Sequence, residues 1–175
     1  MVNYRFVSKL LQKNGYIPNN PKLPLLIYQA AVVLSKDDPA SEFEKRFHRH
    51  HWIGSWRDKV YPYHHYHTTN HEALGVYSGS ATVLFGGDGE GGFSIEICAG
   101  DVVVIPAGVS HKCLSASSDF GVVGAYPDGI AVDECLGNSQ ETHKAENNLA
   151  KVPLPKFDPV FGGEGPLLEK WINKR

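Results

Sequence analysis

His65 and His67 stand two residues apart, Glu72 follows five residues later, and His111 lies in a separate stretch ending Gly100-Asp101-Val102-Val103-Val104-Ile105-Pro106-Ala107-Gly108-Val109-Ser110-His111. In an extended strand alternate residues share a face, so His65 and His67 point together and Tyr66 points away. Asn70 or a neighbour can turn the chain there. Glu72 then falls on the next strand, near the same pocket. The Pro106-x-Gly108 turn delivers His111 from a different part of the chain. Three neutral imidazoles and one carboxylate suit a divalent transition metal: Fe, Mn, Ni, Cu, Co or Zn. Four such donors on an octahedral ion leave two positions for water, dioxygen or substrate; a closed four-coordinate zinc is the competing geometry.

Other polar residues near this set have chemical and structural readings. By alternation His64 faces opposite to His65, and His71 opposite to Glu72, which suits a place behind the ligands or simple exposure. His71-Glu72 does not extend to a helical HExxH, because Gly75 stands where the second histidine would be. His64, His71 and Tyr66 are candidate proton carriers, and Arg57 is a candidate clamp for a substrate carboxylate or phosphate. A surface pair with Asp58 or Glu44 is the plainer expectation for Arg57. His48 and His51 could hold a second ion, but histidines near a helix C-terminus are favoured by its dipole alone. Tyr63, Tyr66, Tyr77, Trp52, Trp56 and Phe85 could line a pocket, though most suit the core, and Tyr126 could reach the mouth of a barrel.

The elements that position these residues are mostly strands. Residues 1–24 read as an N-terminal arm, with a short apolar helix at Val7–Leu11 and a turn-rich run from Pro18 to Pro24. Leu25–Leu34 is apolar enough for a buried strand. Asp38-Pro39 starts a helix over about 39–51, with Phe43 and Phe47 on its buried face and Gly54 closing it. From Trp56 to Tyr126 short runs alternate with turns: Ala73–Val76, Ala81–Phe85, Phe93–Ile97, Val102–Ile105 and Gly121–Tyr126. The glycine-rich stretch 86–92 is a hairpin tip. Many short strands of even spacing predict a sandwich or barrel. Ser139 caps a second helix over about Gln140–Lys151, and the tail from Val152 reads as a strap over the barrel or a partner subunit.

The chain has 175 residues, 42% hydrophobic and 21% charged, with a formal net charge of -2. That is ordinary for one soluble domain, 1–175. The charge argues against nucleic acid, and no apolar run is long enough for a membrane-spanning helix or signal core. Cys98, Cys113 and Cys135 are an odd number without CxxC spacing, which suits reduced thiols in a cytoplasmic protein.

The two motifs carry a family resemblance. His65-x-His67, Glu72 and Gly79 resemble the first cupin motif from its histidines onward. Gly100, Pro106-x-Gly108 and His111 resemble the second. Lys59 stands where the first motif opens with glycine, and Ser115 where the second often closes with asparagine. Trp52–Asp58, Tyr63–Gly79, Gly100–His111, Ser118–Pro127 and Pro153–Trp171 are similar to a small YjlB-like group of single-domain cupins. The resemblance implies an all-β, double-stranded β-helix (jelly-roll) barrel over 25–126. One or two short peripheral helices and a C-terminal extension over 127–175 complete it. It implies metal-ligand roles for His65, His67, Glu72 and His111, and pairing into a homodimer. It implies no single reaction. A metal-dependent oxidoreductase, foremost a dioxygenase, is expected. A non-redox isomerase, epimerase or lyase, and a non-catalytic small-molecule-binding module, are the alternatives.

Overall fold

A computed structural model describes residues 3–173; residues 1–2 and 174–175, the two ends of the expected domain, lie outside the described residues. The jelly-roll architecture expected from the resemblance is what forms. Among the described residues nine strands run in order: β1 (Arg5–Leu11), β2 (Asn20–Gln29), β3 (Trp52–Asp58), β4 (Glu72–Ser78), β5 (Ser80–Phe85), β6 (Phe93–Cys98), β7 (Val102–Ile105), β8 (His111–Ala116) and β9 (Gly121–Pro127). Among the described residues α1 (Pro39–Arg49) lies between β2 and β3, α2 (Ser139–Leu149) follows β9, and shorter helical segments cover Gly89–Gly91 and Leu168–Ile172. One sheet has the order β1-β2-β7-β4-β9-β3 and the other β6-β5-β8. Every pairing is antiparallel.

The four inner strands of the six-stranded sheet, β2, β7, β4 and β9, are buried on both faces over most of their length, which explains their apolar runs, while the edge strands β1 and β3 are largely exposed. Leu25, Ile27, Leu74, Val76, Val103, Ile105 and Val122 face the second sheet and its Val83, Phe85 and Ile97. Leu26, Tyr28, Ala73, Val102, Val104, Val123 and Ala125 face the other way, beneath α1 and the C-terminal segment. Period-2 alternation sorts the two sets strictly.

The cover on the outer face has identifiable causes. Asp38 caps α1 by accepting from the Ser41 amide at 3.3 Å. Phe43 and Phe47 pack on the sheet, and Gly75 of β4 leaves the space that the Phe43 ring fills. The C-terminal segment is a strap over this chain's own barrel. Val160, Leu167 and Trp171 join the outer core. Trp52 Nε1 donates to the Phe157 carbonyl at 2.9 Å, and Trp171 Nε1 to the Pro24 carbonyl at 2.9 Å. Buried Asp158 accepts from the Tyr28 hydroxyl at 2.7 Å and from the amides of Val160, Phe161 and Leu167.

Several boundaries differ from the sequence reading. Val7–Leu11 is not a helix but part of β1, because an apolar run this short gains more from pairing with β2 than from an isolated turn of helix. The Pro18–Pro24 run is not wholly an arm: β2 begins at Asn20, and its prolines lie outside the Leu26–Tyr28 stretch that pairs with β7. β2 ends at Gln29, where Ala30 turns at φ 57°. α1 ends at Arg49 and the chain reverses at His51 (φ 64°). Gly54 lies instead at an irregularity of β3, with φ 71°. Asn138, not Ser139, caps α2, in a reciprocal box with Glu141. Lys59, in place of the motif's glycine, directly follows β3 without positive φ. Ser115 pairs with Thr82 beside an irregularity of β8.

Candidate metal centre

His65 and His67 reach the barrel through a short extended stretch rather than a full strand. His65 and His111 exchange backbone hydrogen bonds at 3.3 and 3.0 Å, which fastens the first motif to the start of β8. The Pro106–Val109 turn closes with the Val109 amide on the Pro106 carbonyl at 3.1 Å, and Gly108 supplies the φ of 91° such a turn requires. In β4, Glu72 shares the inner face with Leu74 and Val76. The four side chains named from sequence spacing therefore meet at one place inside the barrel.

Their geometry is that of converging donors. One ligand atom each from His65, His67 and His111 lies within 4.8 Å of the others. Glu72 Oε2 is 3.2 Å from His67 Nε2 and 3.3 Å from His111 Nε2. Yet Glu72 Oε2 is buried without a hydrogen-bond partner. The far side of each ring explains why. Nδ1 of His65 lies 3.2 Å from the Tyr63 carbonyl, Nδ1 of His67 2.5 Å from that of Asp133, and Nδ1 of His111 3.3 Å from that of Val109. A carbonyl only accepts, so each Nδ1 carries a proton, and in the neutral ring Nε2 presents a lone pair inward. This tautomer arrangement is the one that metal-binding histidines adopt.

The charges within the cluster are coupled. Burial, then the neighbouring His111, pushes His65 down to about 3, so its imidazole is neutral at ordinary pH. For His67 burial acts downward, but the contact and charge of Glu72 outweigh it and raise the group. Burial alone would raise Glu72; His111 and His67 outweigh it and hold the carboxyl well below the usual carboxylate range. The carboxylate is thus held by positive charge on the neighbouring rings, a role that a bound cation would take over. The donor set therefore fits a divalent ion.

A cavity of about 320 Å³ opens over these donors, its wall formed by Trp56, Tyr61, Leu74, Tyr126, Val132 and Glu134. Tyr61 and Tyr63 stack at the rim with ring centroids 5.0 Å apart. Burial, then the charge of Glu72, pushes the Tyr126 phenol up to about 12, so it stays protonated.

The four weaker candidates from sequence fall elsewhere. His64 turns outward, its Nε2 3.0 Å from Asp88 Oδ1. Tyr66 is buried on the opposite side with Cys135 and Ala145. His71 faces outward beneath Trp171, accepting from the Ala107 amide at 2.9 Å. Arg57 lies at the cavity rim, but Glu44 holds it at 2.6 and 2.9 Å and Asp38 adds a weaker contact. None of the four presents a free polar group to the donors, so the proton-carrier and anion-clamp readings are not supported by position. His48 and His51 form no second cluster among the described residues, and His51 stacks on Phe157.

Asp133 is the residue that sequence reasoning missed. Besides its carbonyl on His67, its carboxylate accepts from the Thr68 amide at 2.6 Å and the Thr68 hydroxyl at 2.5 Å. Asn148 of α2 donates to that hydroxyl at 2.8 Å. No spacing marks a backbone carbonyl as an orienting group, so no sequence signal pointed to it.

A family model described as Cupin matches residues 63–129. The Bacillus subtilis (strain 168) protein YjlB, described as uncharacterized, is 45% identical over 160 residues, covering 91% of this chain and 93% of that protein. The chain belongs to the cupin family, in its YjlB-like group. Among solved structures, dTDP-4-dehydrorhamnose 3,5-epimerase from Elizabethkingia anophelis NUHP1 matches this cupin with a TM-score of 0.42 and 12% identity, over 73% of this chain and 75% of that one. A mutant of Bacillus subtilis oxalate decarboxylase OxdC matches with a TM-score of 0.37 and 15% identity, over 65% of this chain and 22% of that one. At such scores the likeness bears on neither activity nor ligand. Among the described residues no helix is long and apolar enough to cross a membrane.

Proposed function

We propose that this cupin binds one divalent transition ion through His65, His67, Glu72 and His111 and acts through it on a small molecule admitted by the cavity. The observation that carries the reading is the common orientation: three separate carbonyls take three Nδ1 protons, and the Nε2 atoms of His67 and His111 turn onto a buried carboxylate, with His65 in the same cluster. An ion held there would supply Lewis acidity or redox chemistry. The chain's own residues orient the donors, and Leu74 and Val132 give the wall an apolar part. Oxygen-dependent turnover of a small organic molecule is the form we put first, because the donors face a cavity rather than a closed shell.

The test incubates metal-loaded protein with a panel of small hydroxy acids, sugars and phenols, in air and under argon, and follows product by mass spectrometry. Turnover only in air supports oxygen chemistry. Equal turnover under argon overturns it in favour of a non-redox lyase or isomerase. A compound that raises Tm without being consumed contradicts catalysis and leaves a binding module.

A further inference from the structure

Tyr126 has a hydroxyl hydrogen with no acceptor and stands beside the donor set. β4 and β9 pair with Ala73 opposite Ala125, so the next cross-strand neighbours are Glu72 and Tyr126, both on the inner face. The ring meets His67 edge-on, centroids 6.3 Å apart. Its oxygen is already engaged from behind: Trp56 Nε1 donates to it at 2.8 Å. An indole N–H only donates, so it occupies one lone pair of the phenol oxygen and leaves the O–H to point elsewhere. Among the described residues no acceptor takes that hydrogen, while the side chain lines the cavity.

Trp56 is placed for this contact by a glycine. β3 and β9 pair with Trp56 opposite Gly124, and a Cβ at Gly124 would collide with the indole ring. Gly124 does not take the left-handed backbone that would by itself call for glycine. Its lack of a side chain is used for close approach. Trp56, Gly124 and Tyr126 thus form a built support that holds a phenol with its donor unspent beside Glu72 and His67.

We propose that Tyr126 donates a hydrogen bond to an anionic atom of the small molecule that occupies the open side of the metal centre, with Trp56 as its positioning residue. The ligand class is a small organic oxyanion, such as a carboxylate or enolate, because a hydroxyl donor beside a cation favours an acceptor that carries charge. The inference rests on the proposed ion site.

The test uses the full chain loaded with Co(II) and azide as the anionic probe, titrated by the visible spectrum. Cobalt content is measured separately for wild type, Tyr126→Phe and Trp56→Phe. Wild type and both variants are expected to hold equal cobalt. Azide is expected to bind about tenfold more weakly to Tyr126→Phe, as for loss of a hydrogen bond to a charged group. Trp56→Phe keeps an aromatic ring over Gly124 but not the N–H, and is expected to fall between them. Azide affinity in Tyr126→Phe within twofold of wild type, at equal cobalt, overturns the role of Tyr126 and leaves the ion site standing. Loss of cobalt from Tyr126→Phe overturns a role confined to the ligand. Wild-type affinity in Trp56→Phe overturns the positioning role. A wild type that takes up no cobalt overturns the ion site, and this inference with it.

Discussion

The backbone carbonyl of Asp133 accepts the Nδ1 proton of His67 across 2.5 Å, while the carboxylate of the same residue clamps Thr68. A segment that follows the last barrel strand thus orients a side chain from the first motif. Asp133→Ala frees that segment and lets the His67 ring turn. Metal affinity is expected to drop about 10- to 100-fold, as when groups orienting a ligand are lost. Competition against a chromophoric chelator measures it. Lys144→Ala is the control, since Lys144 touches Asp133 only at 3.8 Å on the surface, and it should leave the affinity unchanged.

Gly75 and Phe43 make a second test, of packing alone. Any side chain at Gly75 meets the Phe43 ring, which is fully buried against the sheet. Gly75→Ala is expected to destabilise the fold by about 1–3 kcal/mol, the usual cost of overpacking. Adding Phe43→Leu should return part of that loss. Urea unfolding with equal m-values would show it; additive losses in the double variant would contradict the contact.

Acid sensitivity follows from His71. Burial holds this imidazole down to about 4, while the unfolded chain protonates near the ordinary value of 6.5. Between those values the unfolded state carries the extra proton, so stability falls as pH falls. The contribution is fully present above 6.5, and the loss stops growing below about 4. With chelator present, wild type should lose roughly 2 kcal/mol more than His71→Gln between ~pH 7.5 and ~pH 5. Glutamine keeps an acceptor for the Ala107 amide but does not titrate. Parallel pH profiles for the two proteins would contradict the assignment.

Much of the site's layout was legible because it depends on residue type and short-range periodicity. Alternation put His65 and His67 together and turned Tyr66 away. The same rule sent Glu72 inward to the cavity and His71 to the outer face, against Trp171. What escaped depends on distant backbone. The strand nature of Val7–Leu11 is set by its β2 partner, and β8 reads poorly because three of its six residues are exposed. The supports of the donors are carbonyls of Tyr63, Asp133 and Val109, which any residue type could provide. For Arg57 the plainer expectation, a surface pair with Glu44, is the arrangement found; the added contact with Asp38 depends on how α1 and its cap pack against β3, which spacing alone does not show.

The most direct measurement is elemental analysis of the cupin purified without tag or chelator, beside a His65→Ala/His67→Ala variant shown by circular dichroism to be folded. The expected result is about one Fe, Mn, Co, Ni, Cu or Zn per wild-type chain and none in the variant, as loss of two of four donors implies. A wild type that holds no transition ion, even after anaerobic incubation with Fe(II), Mn(II) and Zn(II), would contradict the metal centre.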